Sequence, residues 1–411
     1  MTACAQIEDW IPVDLNPISE TQPAAQPSVT PTPITPTATV PTPTPTISPI
    51  PSLTNTPRPT RTPLPTFTPS VTIPPIVRIG PDNFPDYVNP LTGLTASNPL
   101  LLNRRPIVIK IPNYPHNVRP QSGISLADHV FELYLEAGLT RFAAVFYGNE
   151  AVKVGPIRSA RISDEHLMRM YNAIFVFNGA DKRTLEYYDE QNLNEDLFVV
   201  ERECPPLCRD ATIPTYNNLF GNTTLISNYI TNNGTDNSRY DLATNYFYSL
   251  GGHGVITASR IYVKYSYANY AYWEYDPIDH RYLRYQGSVD LVNGQEEVYT
   301  LLTDALTNQP IAADNVIILF VPHEFYYKSS DTEMFKINMV DSGKAYVFRN
   351  GKGEEAVWQR TAENKPLSIL LTDGSPYPLK PGVTFFQVIH TTSQFIQNGQ
   401  TWTYIFERPE E

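Results

Sequence analysis

The residues best suited to chemistry lie close together in the run Gly155–Arg161, which reads Gly-Pro-Ile-Arg-Ser-Ala-Arg. Arg158 and Arg161 carry permanent positive charges, and Ser159 between them offers a hydroxyl. The run leads into a predicted helix that Ser163 would cap, and the free amides of a helix N-terminus attract anions. Two guanidinium groups beside such amides usually hold carboxylates or phosphates, so the sequence predicts an anion-binding cleft.

A structural alternative uses the same two arginines. Three acids precede them, spaced four residues apart, and any of these could pair with Arg158 or Arg161 inside the fold: Asp128, Glu132 and Glu136. A ligand contact and an internal ion network both remain open. Three further polar residues could line the same cleft, namely Arg119, Gln121 and Arg141.

The three acids also allow a catalytic hypothesis. Paired carboxylates hydrolyse glycosidic bonds when they lie roughly 5–10 Å apart, a distance that spacing in the sequence does not give. One of these carboxylates beside Arg158 would make the chain an enzyme acting on a wall polymer. The sequence contains no serine nucleophile elbow, phosphate loop or dinucleotide motif, and its histidines lack metal-ligand spacing. We therefore expect no cofactor and no metal.

The cysteines indicate a compartment. Met1-Thr2-Ala3-Cys4 resembles the end of a bacterial lipoprotein signal, at which the cysteine takes a lipid, so Cys4 predicts a membrane anchor outside the cell. The alternative is a chance start with a free cysteine. Cys204 and Cys208 form the remaining pair, which could bond in an oxidising compartment. Two free thiols remain an alternative, and a metal site lacks the four ligands that zinc needs.

A Thr/Pro-rich tract separates the N-terminus from the rest of the chain. Residues 31–70 contain 13 prolines and 13 threonines, a composition that buries too few side chains to form a core. We predict a disordered stalk that holds the folded part in or beyond a wall layer. The predicted boundaries are 1–20 for the lipobox and mature N-terminus, 21–85 for the stalk, 86–232 for an N-terminal domain, 233–258 for a connection, 259–395 for a C-terminal domain and 396–411 for a tail.

Hydrophobic patterning predicts an α+β protein, with a mixed α/β N-terminal half and a mainly β C-terminal half. Apolar runs at 131–136 and 141–147 predict a hairpin, although 125–136 could instead be a helix. Helices are also expected after Ser163, at 181–192 and at 222–231. In the second half, short aromatic and branched runs alternate with turn signals such as Asn350-Gly351, which is typical of a hairpin.

Charge and apolar content argue against a nucleic-acid partner and against a membrane-spanning helix. The net charge is −12, so no broad basic face is expected to meet a nucleic acid. No apolar run approaches the roughly 20 residues of a spanning helix. The 26 tyrosines could form a sugar-stacking surface or could be half-buried strand residues.

An ordered set of motifs resembles the YerB-like family of lipoproteins. In the first half the set comprises Asn103–Val108, Arg119–Gly123, Ala127-Asp128, Glu136–Phe142 and Val154–Arg161, and in the second half Trp273–Asp276, Asn315–Ile317, Gly343–Phe348, Trp358 and Leu379–Gly382. The resemblance implies paired N- and C-terminal domains of unknown function and supplies no catalytic residues. Where the family tends to show a Pro-His-Asn element, this chain has Asn217 at the histidine position, which lowers the expectation of histidine-dependent catalysis.

These features predict a membrane-anchored, extracytoplasmic lipoprotein that binds an anionic or carbohydrate component of the cell envelope. The anchor, the stalk and an arginine-rich cleft without a catalytic signature favour binding over catalysis. Two alternatives remain: a hydrolase of wall polymer that uses the carboxylates of the N-terminal domain, and a structural scaffold for another envelope protein.

Overall fold

The computed structural model describes residues 77–193, 198–200, 204–250, 254, 256–292 and 295–410. Cys4 and most of the predicted stalk therefore lie outside the described residues. The end of the predicted stalk belongs to the folded part, because the strand Arg78–Ile79 pairs with Tyr246–Tyr248. The folded part thus includes residues 78–79, whereas the sequence predicts a start at residue 86.

The first half combines short strands with the α-helices that the structure describes. Its strands are β1 Arg78–Ile79, β2 Val88–Asn89, β3 Leu94–Thr95, β4 Ile107–Pro112, β5 His129–Tyr134, β6 Thr140–Phe146, β7 Ile174–Val176, β8 Phe198–Val199, β9 Leu207–Arg209 and β10 Leu219–Gly221. Its helices are α1 Glu165–Tyr171, α2 Lys182–Glu190 and α3 Thr223–Asn232, with short 3₁₀ turns at Pro99–Asn103, His116–Val118, Ile124–Leu126 and Ile162–Asp164.

The second half is built from strands. These are β11 Tyr246–Tyr248, β12 Ile256–Thr257, β13 Arg260–Lys264, β14 Tyr270–Asp276, β15 Arg281–Gly287, β16 Tyr299–Leu301, β17 Ala312–Ala313, β18 Asn315–Val321, β19 His323–Lys328, β20 Glu333–Ile337, β21 Asp341–Arg349, β22 Lys352–Arg360, β23 Ser368–Leu370, β24 Pro378–Leu379, β25 Thr384–His390, β26 Gln394–Asn398 and β27 Thr401–Ile405. The described protein is therefore mostly β with few helices, and the second half is mainly β as the turn-rich sequence predicted.

One mixed sheet runs through both halves of the sequence. Its strands follow the order β12-β22-β21-β18-β25-β5-β6-β4-β7-β8, with β23 beside β22. The halves meet where β25 lies parallel to β5, with Phe386 opposite Phe131. The rings of these two phenylalanines stack with centroids 4.3 Å apart, so the seam is a packed part of the core.

Alternation along the strands gives the central sheet two buried faces. Ile107, Ile109 and Ile111 of β4 belong to a core shared with the second sheet, whose strands run β16-β15-β14-β13-β27-β26. Val108 belongs to the opposite core, which α1 and α2 cover through residues such as Leu167 and Tyr188. Side chains with odd and even numbers on one strand therefore reach different layers.

The β5–β6 hairpin confirms the strand interpretation of this region and excludes the alternative helix over 125–136. Ala137 and Gly138 at its turn have φ angles of 52° and 78°, the left-handed conformation that tight hairpin turns require. A side chain on Gly138 would meet the Cβ of Ser266 at 2.7 Å, so the turn also packs tightly on the second sheet.

Two predicted segments contain regular structure that the sequence analysis did not expect. The predicted tail at 396–411 contains β27, which pairs in parallel with β13 and buries Trp402 and Tyr404. The predicted connection at 233–258 contains β11 and β12. Short strands of this kind gain their stability from neighbours that are distant in the sequence, so the pattern of each segment alone does not reveal them.

Candidate functional site

The candidate site lies at one edge of the central sheet. Strand β4 is parallel to β7 and antiparallel to β6, β6 is antiparallel to β5, and β5 is parallel to β25, which is parallel to β18. One direction is therefore shared by β4, β5, β7, β18 and β25. The carboxyl ends of these strands lie along the same edge of the sheet, which is the edge meant below. In sheets of parallel strands this is the edge at which ligands usually bind.

Lys110 and Arg141 bring positive charge to this edge from within the sheet. Arg141 lies opposite Pro112 across the β4–β6 pair, and Lys110 is two residues earlier on β4, so both side chains lie on the helix-covered face. Lys110 is fully buried and forms an ion pair with Asp164, although burial lowers its pKa. The sequence signal for this residue is a lone lysine in the apolar run 106–111.

The loop that carries the predicted arginines is fixed by backbone hydrogen bonds. The Ile157 amide donates to the Leu219 carbonyl at 2.8 Å, and the Arg158 amide donates to the Lys110 carbonyl at 2.9 Å. The loop begins at Gly155, whose φ is +148°, and a Cβ there would lie 2.8 Å from the Leu219 carbonyl oxygen. Only glycine suits that position, and the loop is held against β4 and β10.

Arg161 serves the internal ion network that was one of the two alternatives. Its guanidinium group forms a bidentate pair with Glu136, with Nε 2.8 Å from Oε2. Burial opposes the ionisation of Glu136, yet the facing Arg161 holds the pKa of that carboxyl below its usual value. Arg161 is therefore a structural cation with its own acid.

Arg141 and Arg158 have no such acid among the described residues. Arg141 donates through Nη1 to the Ser159 carbonyl, and Arg158 packs over the ring of Tyr216 with its guanidinium carbon 4.6 Å from the centroid. Burial lowers the pKa of both arginines, and the charge of Arg161 lowers them further. Lys110, Arg141, Arg158 and Arg161 are four cations that face two carboxylates, Glu136 and Asp164. The cluster therefore carries two uncompensated positive charges, and these six residues with Tyr216 are called the basic edge site below.

The helix that follows does not contribute the amides predicted for it. Ser163 does not cap it: its hydroxyl donates to the Phe335 carbonyl at 3.0 Å. The Arg161 amide donates to Asp164 Oδ2 at 2.7 Å, because an acid three residues further on can reach back to the first amide of a turn. The Ser163 prediction was wrong, and the positive charge of the site comes from side chains.

Arg119 and Gln121 are engaged by backbone carbonyls outside the basic edge site. Arg119 donates to the carbonyls of Asn113 and Gly287, the latter in β15 of the second sheet. Burial lowers its pKa to about 10, and the nearby charge of Arg284 contributes to the shift. Gln121 is buried and donates to the Pro112 carbonyl at 3.0 Å. Arg119 therefore joins the central sheet to the second sheet, whereas Gln121 is held at the end of β4, and neither side chain forms a hydrogen bond with a residue of the basic edge site.

The three candidate carboxylates also lie apart from one another. Asp128 accepts hydrogen bonds from the Tyr147 and Gly148 amides at 2.6 and 2.9 Å, and burial raises its pKa to about 6. Glu132 pairs with Arg284 at 2.7 Å, and Glu136 pairs with Arg161. Glu132 lies within β5, whereas Asp128 precedes this strand and Glu136 follows it. The strand separates Asp128 from Glu132 by roughly 13 Å, more than glycoside hydrolysis allows, and Glu132 and Glu136 pair with different arginines.

The segment before β10 supplies the exposed part of the site. Cys204 and Cys208 are bonded to each other, and β9, which contains Cys208, pairs with β10. Tyr216 lies in the connection between these strands and is 64% exposed, whereas its neighbour Asn217 is buried. Sequence reasoning missed Tyr216, because nothing in the sequence shows that its ring meets Arg158.

The described residues contain neither a cluster of metal-binding side chains nor a helix suited to crossing a membrane. No group of three or more His, Cys, Asp or Glu residues in these ranges is arranged to hold a metal ion. Among the described helices, none combines the length and the apolar character needed to cross a membrane.

The fold is that of a mainly β protein whose two halves share one sheet. Comparison with known proteins then identifies the protein family. The family described as "Protein of unknown function (DUF3048) N-terminal domain" matches residues 91–236, and its C-terminal counterpart matches 261–386. The layout of two domains in the sequence agrees with these matches.

The chain belongs to the YerB-like family. It is 26% identical over 324 residues to "Putative lipoprotein YerB" of Bacillus subtilis (strain 168), a match that covers 75% of this chain and 88% of the relative. The crystal structure of YerB from Bacillus subtilis has a similar fold, with a TM-score of 0.59 and 24% identity over 74% of this chain and 96% of that one.

Proposed function

We propose that this protein is an extracytoplasmic, membrane-anchored binding module that recognises an anionic component of the cell envelope at the basic edge site. The observation that carries the proposal is the pair Arg141 and Arg158, which have no acid partner in the described part of the chain. Two uncompensated charges that are partly withdrawn from water favour an anion that restores the balance.

Two features of the site support a ligand over a scaffold role. The backbone of the Arg158 loop is fixed before any ligand arrives, which lowers the ordering entropy that binding must overcome. Guanidinium groups present several donors in a plane, which matches the oxygens of phosphates and carboxylates. A hydrolase of wall polymer is the weaker alternative, because each candidate carboxylate is engaged by its own partners.

Binding of poly(glycerol phosphate) to the full chain tests the proposal. We expect binding that weakens as salt rises, because exposed charge interactions are screened over about 10 Å at 0.1 M ionic strength. Arg158→Ala should weaken it about tenfold, the effect of losing one charge-assisted contact.

Arg260→Ala is the matched control. Arg260 also lies over a tyrosine ring, that of Tyr272 at 5.5 Å, but it has an acid partner in Glu274. The control should bind like the unaltered chain. Equal binding by Arg158→Ala and the unaltered chain would contradict the proposal.

The proposed location rests on the lipoprotein relative and on the N-terminal residues. Cys4 would receive the lipid, and the Thr/Pro-rich tract would carry the folded part away from the membrane into the wall. Mass spectrometry of the mature N-terminus, after expression of the gene with its upstream region, tests this part. An unmodified Cys4 in the membrane fraction would contradict it.

A further inference from the structure

Tyr216 is an exposed ring attached to the charged part of the basic edge site. The guanidinium group of Arg158 covers the ring at 4.6 Å, yet the residue as a whole remains 64% exposed. A single exposed aromatic ring is common on protein surfaces and does not by itself indicate a binding site. Tyr87 and Tyr267 are the other described tyrosines that are more than half exposed, and Tyr216 differs from both because a cation lies over its ring.

The two residues are held together by the backbone beneath them. Ile157 and Leu219 share a backbone hydrogen bond of 2.8 Å. This bond holds the loop of Arg158, which follows Ile157, against the segment that contains Tyr216, three residues before Leu219. The disulfide between Cys204 and Cys208 lies at the start of the same hairpin. The aromatic surface and the positive charge therefore form one preorganised unit.

This combination selects a particular class of anion. Arginines alone would accept any carboxylate or phosphate, but an adjoining aromatic face adds affinity for a ligand with an apolar face next to its charge. The C–H face of a sugar ring meets that description. An aromatic base joined to phosphate would also fit, but the net charge of −12 disfavours a polynucleotide.

We infer that the ligand of the basic edge site is an anionic glycan, in which a sugar ring packs on Tyr216 while its phosphodiester or carboxylate group meets Arg141 and Arg158. This inference rests on the proposed function and names the ligand class of the same site. It assigns to Tyr216 the recognition of sugar and to the arginines the recognition of charge.

Four polymers that vary charge and sugar independently test the inference. Poly(glycerol phosphate) and polyglutamate carry phosphate or carboxylate without sugar, whereas hexose-substituted poly(glycerol phosphate) and polygalacturonate carry the same groups with sugar. Isothermal titration of the full chain with each polymer gives the affinities. The unaltered chain should prefer the sugar-bearing member of each pair, and the larger preference identifies phosphate or carboxylate as the charged group.

Tyr216→Ala should weaken binding of the sugar-bearing polymers about 3- to 10-fold, the range expected for one aromatic contact, and leave the sugar-free polymers unchanged. Tyr216→Phe keeps the ring and should bind like the unaltered chain. Tyr267→Ala is the matched control, because Tyr267 is 57% exposed and lies in the turn between β13 and β14. It should bind all four polymers normally.

The possible outcomes separate this inference from the proposed function. Equal loss on all four polymers in Tyr216→Ala would show that the ring only orients Arg158, which overturns the inference and leaves the proposed function standing. Unchanged binding of Tyr216→Ala to the sugar-bearing polymers overturns the inference as well. Failure of the unaltered chain to bind any of the polymers, or full binding by Arg158→Ala, overturns the proposed function and the inference with it.

Discussion

At the scale of single residues, two arginines three positions apart have different surroundings. Arg161 forms a bidentate pair with Glu136, whereas Arg158 lies over Tyr216 without an acid partner in the described part of the chain. The sequence left a ligand contact and an internal network open for both arginines. The structure places Arg161 in an internal ion pair, and the ligand contact of Arg158 stays a proposal. No pattern in the sequence could have divided them, because Glu136 and Tyr216 reach the site from distant segments.

The difference predicts opposite effects of alanine substitution on stability. Arg161→Ala leaves the Glu136 carboxylate without its partner in a poorly hydrated place, so the free energy of unfolding should fall by about 2–3 kcal/mol. Arg158→Ala removes only a cation–aromatic contact and should change it by less than about 1 kcal/mol. Urea denaturation of both variants measures these effects. A loss in Arg158→Ala as large as that in Arg161→Ala would show that Arg158 is also structural.

At the scale of elements, the seam between β5 and β25 joins the two halves. Glu132 of β5 lies opposite Gln387 of β25 and forms a fully buried ion pair with Arg284 of the second sheet at 2.7 Å. Asn113 and Thr140 also donate to Glu132, at 2.9 and 2.7 Å. Glu132, one of the three acids considered for catalysis, therefore links the central and second sheets.

Removing this acid should destabilise the fold. Glu132→Ala leaves the Arg284 guanidinium group buried without its partner, so we expect the free energy of unfolding to fall by about 3–5 kcal/mol. The matched control is Glu274→Ala, which breaks the exposed pair with Arg260 and should cost less than about 1 kcal/mol. Thermal unfolding with both variants at one pH gives the comparison. Similar losses in the two variants would contradict the structural role of Glu132.

Local elements of the fold could be predicted from the sequence, but their arrangement could not. Turn residues identified the β5–β6 hairpin and the Asn350-Gly351 turn, where both residues have positive φ angles. Pairing of His129 with Thr384 joins segments more than 250 residues apart, and the apolar patterns of the two strands contain no information on their pairing. The basic edge site depends on contacts of the same kind within the first half, namely the pairing of β4 with β6 and the hydrogen bonds of the Arg158 loop to β4 and β10, and patterning does not reveal these contacts.

At the scale of the whole molecule, several buried histidines are held neutral. The ring nitrogens of His129 form hydrogen bonds with the Tyr171 hydroxyl and the Leu91 carbonyl. Burial lowers the pKa of His129 to about 4. Burial also lowers the pKa of His166 and His323 to about 3 each, with the Arg360 charge contributing at His166. At these three histidines the folded protein therefore takes up fewer protons than the unfolded chain below the usual histidine pKa of about 6.5.

Stability should consequently fall as the solution becomes acidic. The unfolded chain binds more protons at His129 between pH 6.5 and about 4, and at His166 and His323 between pH 6.5 and about 3. Within these windows each histidine should lower the free energy of unfolding by about 1.4 kcal/mol for each unit by which the pH falls. Denaturation between pH 7 and 5 measures the slope. His129→Asn should reduce it, whereas His280→Asn, at an exposed position, should not. An unchanged slope in His129→Asn would contradict this account.

The central claim is that Arg141 and Arg158 meet an anion while Arg161 remains with Glu136. NMR spectra of the arginine Nε–H groups, assigned through Arg→Lys variants and followed during titration with poly(glycerol phosphate), test this claim directly. The account predicts saturable shifts of the Arg141 and Arg158 signals and a nearly stationary Arg161 signal. Shifts confined to other exposed arginines such as Arg260, or no saturable shift at Arg141 and Arg158, would contradict it.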